Sequence, residues 1–304
     1  MMQMKFRIFP LLAAFVPMFA LAQIEIESIE EVGVAAQPIF SARGDLLLLS
    51  AVNGRQGLFI YHPVTHQTTF IDDTEDALPD AVLSDGGTTV AFRQVTYQNH
   101  MPYTSIVAKN MKTGTLYEID AASDRRHAFA FAGGKLKVAK RNTISSMRLL
   151  NDVRKVEHEY VLAIEDQDLV LYDGNKRRVL NPQGKGSYIW ERISPDQKHI
   201  VYMAIHKNCH TFVADIDGSN PVDLGYIGAP VWYGNDMIVG MLDLDDGQSV
   251  VKSELVAIRI DGTHRQVLST PQQPHAMYPT ASAAAAAIAF ENDGKVYLLK
   301  IKKP

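Results

Sequence analysis

The residues able to do chemistry are scattered, and one short segment collects the most of them. His206-Lys207-Asn208-Cys209-His210 places two imidazoles and the only cysteine of the chain within five positions. Imidazole and thiolate are zinc ligands, although a solvated polar loop has the same composition. Asp243-Leu244-Asp245-Asp246-Gly247 spaces carboxylates as part of a calcium loop does, since hard cations take oxygen ligands. It lacks the downstream Glu of a full EF-hand, and Asp and Gly are turn residues in their own right. No cofactor is expected, and zinc or calcium is the alternative these two segments leave open. A serine hydrolase would need Gly-x-Ser-x-Gly on a strand–turn–helix. The nearest segment, Gly247-Gln248-Ser249-Val250-Val251, falls between two strand-like runs.

Binding is the other chemistry on offer. Tyr97 and Tyr103 flank His100, and Trp190, Glu191 and Arg192 are consecutive. Trp232, with Tyr226 and Tyr233 nearby, precedes an apolar run, as do His127, His275 and Tyr278. Tyr, Trp and Arg are enriched in binding hot spots, and large rings also fill gaps between packed sheets. With His206 and His210 these residues make up the expected binding face.

A repeated phrase must position them. Ile193-Ser194-Pro195-Asp196-Gln197-Lys198-His199-Ile200-Val201-Tyr202 aligns without gaps with the segments starting at Leu83 and Phe40. An eroded copy surrounds Ser282. Each copy puts turn-forming residues ahead of an apolar strand, which is a β-hairpin signature. A second hairpin follows, turning at Thr113-Gly114, Asp173-Gly174, Asp217-Gly218 and Asp261-Gly262. Such pairs supply the positive φ that tight turns need.

The anchor positions Ser41, Ser84, Ala132, Ser194, Tyr233 and Ser282 are 43, 48, 62, 39 and 49 residues apart. A period of about 40 to 50 residues with four strands per unit predicts propeller blades. The expected fold is all-β: a six-bladed β-propeller of four-stranded antiparallel blades. The third interval is too long, and its excess is either an insertion or a further hairpin that makes seven. The last unit lacks a fourth strand. Ile24-Glu25-Ile26-Glu27-Ser28-Ile29 alternates as a strand does and is expected to fill that place, closing the ring.

Composition narrows the partners. The chain has 304 residues, 46% hydrophobic and 21% charged, with a net charge of −4. Nucleic-acid binding would call for a basic stripe. Lys5 and Arg7 precede an apolar run, and Ala20-Leu21-Ala22 ends it as a small-x-small cleavage site. Residues 1–22 therefore read as a signal peptide and residues 23–304 as one propeller domain. A lone cysteine leaves no internal disulfide.

Ile193-Ser194-Pro195-Asp196, its apolar strand and Asp215-Ile216-Asp217-Gly218-Ser219 resemble the blade repeat of the TolB-type β-propellers. The resemblance implies an exported, non-catalytic scaffold, periplasmic or secreted, that binds a protein or cell-envelope ligand. A monomer that does not span the membrane is expected. The alternative is a propeller enzyme of carbohydrate-active or lyase type, using histidines and carboxylates at the channel mouth, which requires those groups to converge.

Overall fold

The computed structural model describes residues 24–74, 80–84, 86–149 and 158–302. The expected signal segment lies outside them. One long strand, β1 (Ile26–Ala36), precedes seven groups of antiparallel strands. The first group is β2 (Ile39–Phe40), β3 (Leu47–Val52), β4 (Arg55–His62) and β5 (Gln67–Asp72). The second is β6 (Val82–Leu83), β7 (Thr89–Gln98), β8 (Met101–Asn110) and β9 (Leu116–Ser123). Two three-stranded groups follow: β10 (Ala128–Ala132), β11 (Lys135–Lys140) and β12 (Thr143–Arg148), then β13 (Tyr160–Glu165), β14 (Asp168–Asp173) and β15 (Lys176–Val179). The fifth is β16 (Tyr188–Ile193), β17 (His199–Ala204), β18 (His210–Asp215) and β19 (Val222–Tyr226). The sixth is β20 (Gly228–Tyr233), β21 (Met237–Asp245), β22 (Val250–Arg259) and β23 (Gln266–Val267). The last is β24 (Met277–Ser282), β25 (Ala287–Asn292) and β26 (Lys295–Ile301).

The single long unit expected between Ala132 and Ser194 is not what the described residues form, because β10–β12 and β13–β15 are separate sheets. Neither contains the Ser-turn phrase. β10 turns through Gly133-Gly134 and β13 through Asp166-Gln167, all four with positive φ. These are two-residue hairpin turns, whose geometry demands positive φ and nothing else of the sequence. The phrase was therefore an incomplete marker of the units.

Where the phrase occurs, its serine closes the hairpin. Ser194 N–H donates to the His199 carbonyl at 2.9 Å, and Ser194 Oγ accepts from His199 N–H at 2.9 Å. Ser41 does the same with Leu46, and Ser84 with Thr89. All three serines are buried, and a buried polar group needs such partners.

The middle strands are apolar without alternation. Residues 200–204 of β17 and 169–172 of β14 are buried in unbroken runs. Period two disappears because each sheet is covered on both faces by its neighbours, as the mixed-sheet core clusters show. The fourth strands face water, so most of β5 and β9 is exposed.

β1 pairs antiparallel with β26, from Ile26 opposite Ile301 to Val34 opposite Lys295. Acidic β1 meets basic β26 through Glu30–Lys300 at 2.6 Å and Glu31–Lys295 at 3.0 Å, and the flanking Glu25 and Lys302 pair at 2.8 Å. Its last residues, Ala35 and Ala36, pair with Val52 and Ala51 of β3. One strand thus joins the first and last groups into a single eight-stranded sheet. Successive first strands touch one another from β6 through β10, β13, β16, β20 and β24 to β2.

Candidate functional site: a charged cluster on the inner strands

The first strands of three groups carry the same irregularity. Register slips between Ile189 and Arg192 in β16, between Gly228 and Val231 in β20, and between Met277 and Thr280 in β24. The residue four before each anchor has left-handed backbone: Trp190 at φ 56°, Ala229 at 45° and Tyr278 at 48°, joined by Gln37 at 48° before β2. A bulge re-aims the side chains beside it, and positive φ outside glycine costs about 1–2 kcal/mol per residue. The next residue is Pro38, Pro230 or Pro279 in three of the four. Proline suits a bulge because it has no N–H to leave unpaired. The fourth copy has Glu191. There a residue with a backbone N–H and a carboxyl stands in place of proline.

Glu191 is half-buried, and the adjacent Arg192 is exposed. Burial pushes the Glu191 carboxyl up to about 7, against the pull of the Arg192 and Arg126 charges. Burial also lowers the Arg192 guanidinium, offset by Glu191 and Asp80. Both therefore lie within electrostatic reach of Asp80, which leads into β6.

Asp80 is itself clamped. Its Oδ2 accepts from Arg93 Nε at 3.0 Å and from Arg126 Nε and Nη2 at 3.0 and 2.5 Å. Burial raises the Asp80 carboxyl, but Arg126 and Arg93 outweigh it and hold the group below its ordinary value. The Arg93 side chain is 4% exposed. Its Nη2 donates to the His127 carbonyl at 2.8 Å, while its buried Nη1 has no partner among the described residues. His127 Nδ1 bonds Asp120 at 2.6 Å, and the other Asp120 oxygen meets Lys140.

The expected histidines have separate partners. His206 bonds the Ser187 and Gln183 carbonyls, both at 3.2 Å. His210 bonds Asp223 at 2.9 Å, and His275 bonds Asp293 at 2.7 Å. His100, at φ 64°, sits exposed on the β7–β8 turn. Among the described residues no three His, Cys, Asp or Glu side chains gather as a metal-holding set. The Asp243 run is occupied otherwise. Asp243 accepts from Tyr226 OH at 2.7 Å, and Asp245 and Asp246 accept from backbone N–H groups of their own turn.

The aromatic residues divide. Trp232 is buried at 7% exposure and donates to the Arg192 carbonyl at 3.4 Å, so it is core and not binding face. Tyr97 at 70% and Tyr278 at 42% are exposed, and Tyr103 is half-buried. β7–β8 and β21–β22 are the long hairpins, with strands of nine or ten residues. Their ends expose Tyr97, Met101, Leu244 and Val251.

No family model matches this chain, and no curated protein does. Solved structures match. A TolB from Acinetobacter baumannii superposes with a TM-score of 0.56 at 14% identity, over 83% of this chain and 57% of that one. The chain thus spans little more than half the length of that protein. A protein solved as a TolB from Agrobacterium tumefaciens gives 0.54 at 15% identity over 91% of each chain. A chain of a mitotic checkpoint complex gives 0.59 at 10% identity, over 99% of this chain and 100% of that one. The fold is a β-propeller. Identities this low carry nothing about activity.

Within that propeller, Asp80 joins Arg93 and Arg126 directly, and Glu191 acts on Asp80 and Arg126 only through charge. Glu191 and Arg192 stood out by type, and His127 is tied in through Arg93. Asp80, Arg93 and Arg126 were missed, since nothing local distinguishes them from solvated charges. One signal was available: aligning the copies shows Glu191 where three others have proline.

Proposed function

We propose that this chain is a seven-bladed propeller, its ring closed by β1, that acts as an exported, non-catalytic scaffold and binds a protein partner on the face bearing the strand-two to strand-three hairpins. The observation that carries the reading is the pair of long hairpins with apolar ends. Exposed large apolar side chains on projecting elements are costly to leave in water and mark interaction surfaces. Tyr97, Met101, Leu244 and Val251 meet that description. The separate pairing of His206, His210 and His275 gives no support to acid–base chemistry among them, so binding is the better reading.

The test is capture from an extract of the source cells with the tagged protein, comparing the parent with Tyr97→Ala/Met101→Ser and Leu244→Ala/Val251→Ser. Loss of a specific co-purifying protein in either variant, with unchanged melting, supports the hairpin face. An identical set captured by the parent and both variants sinks it.

A further inference from the structure

A cavity of about 190 Å³ lies between the third and fourth groups of strands, and none of the exposed hairpin-end residues lines it. Ala128, Ala139 and Ala163, of β10, β11 and β13, form part of its wall. Ala128 stands opposite Ala139 in the ladder, and Ala139 and Ala163 are buried. Three methyl groups leave open the space that longer side chains would fill. Charged residues stand around them: Arg125, Arg126, Arg141, Glu165 and Asp166.

The carboxylates here are engaged, and the arginines keep donors to spare. Glu165 accepts from Tyr172 OH at 2.6 Å and from Arg177 Nε at 3.0 Å, and its side chain is 8% exposed. Arg126 gives Nε and Nη2 to Asp80, which also holds Arg93. Arg141 Nε meets Asp166 at 2.7 Å, with both side chains more than half exposed. Arg125 is engaged only through its backbone, and its exposed guanidinium has no partner among the described residues. Counting the lining and every group joined to it by these ion pairs, five guanidinium groups (Arg93, Arg125, Arg126, Arg141, Arg177) meet three carboxylates (Asp80, Glu165, Asp166). Two positive charges are left over. A cleft walled by an excess of one sign draws in counterions. A carboxylate is planar and carries one charge. A phosphate group carries nearly two and offers three acceptor oxygens, which suits guanidinium forks arriving from the lead-in to β10 and the end of β11. The cavity is smaller than the ~300–1,000 Å³ of sites for drug-sized ligands, so the occupant is a small group.

We propose that this cavity binds a phosphate group, free or at the end of a small monoester, between Arg125, Arg126 and Arg141. Titration calorimetry of the intact protein at fixed ionic strength, with inorganic phosphate, glycerol 3-phosphate and acetate, tests this. Saturable binding of at least one phosphate compound is expected. It should weaken roughly tenfold or more in Arg125→Gln or Arg141→Gln, as loss of a charge-assisted hydrogen bond predicts. Ala128→Leu fills the cavity with every charge in place and should weaken binding as much. Tighter binding of glycerol 3-phosphate than of phosphate identifies an ester as the ligand, and the reverse order identifies the free ion. Circular dichroism melts establish that each variant is folded. Should Ala128→Leu not melt cooperatively, the two arginine variants decide alone, since both side chains are exposed. No saturable binding of either phosphate compound, unchanged affinity in both arginine variants or in folded Ala128→Leu, or acetate binding as tightly as phosphate would each overturn the proposal.

Discussion

Glu191→Gln isolates the cost of placing a carboxylate among the inner strands. Burial raises this carboxyl from its ordinary value near 4.5 to about 7. The folded protein therefore holds its proton over a pH range in which the unfolded chain has released it. With more protons bound when folded, stability falls as pH rises from about 4.5 to about 7 and is level above that. At ~1.4 kcal/mol per pH unit the loss amounts to about 3 kcal/mol. Glutamine keeps the shape and carries no charge. The substitution should leave stability nearly unchanged at pH 4.5 and raise it by up to about 3 kcal/mol at pH 8. Urea unfolding of both proteins at the two pH values measures this, and taking the difference between them cancels every other titrating group. Parallel pH dependence in parent and variant would show that Glu191 is solvated like a surface carboxylate, and the reasoning from burial would fail.

Ser194→Ala removes the acceptor of the His199 N–H in a buried turn; it should cost about 1–3 kcal/mol in denaturant unfolding, and Ser84→Ala should behave alike through Thr89. Trp232→Ala should cost about 3–5 kcal/mol, as truncation of a buried aromatic does, whereas Tyr97→Ala should change stability by no more than ~0.5 kcal/mol; equal melting shifts would contradict the division between core and surface. Ile29→Pro deletes a donor in the strand that pairs with Leu299 and should lower stability by ~3 kcal/mol or more. Lys300→Gln, which breaks only the exposed pair with Glu30, should cost less than ~1 kcal/mol and less still in high salt. If the lysine variant were the more damaging of the two, charge and not strand pairing would be what joins β1 to β26.

Much of the architecture was legible because hairpins are local. Ser194 and His199 are five residues apart, and Asp217-Gly218 supplies its turn within one step, so composition alone marks both ends of the hairpins that carry these residues. The pairing of β1 with β26 was legible for another reason: a last unit short of a strand and an unassigned alternating segment complete each other. The division of residues 128–179 was not, because Gly133-Gly134 and Asp166-Gln167 perform the same turn with different residues.

What the amino-acid order determined by itself is the series of hairpins, their buried middle strands and the chemical types available on their loops. Turn dihedrals and strand burial follow from side chains close in sequence, so they survive without knowledge of the whole. What only the tertiary structure decided is which charges share a space. Arg93, Arg126 and Asp80 read as ordinary surface residues until the fold joins both arginines to the one carboxylate, and Trp232 reads as a hot spot until neighbouring sheets bury it. Electrostatic energy depends on distance and dielectric, and both are set by how the sheets pack around one another, which no local pattern records.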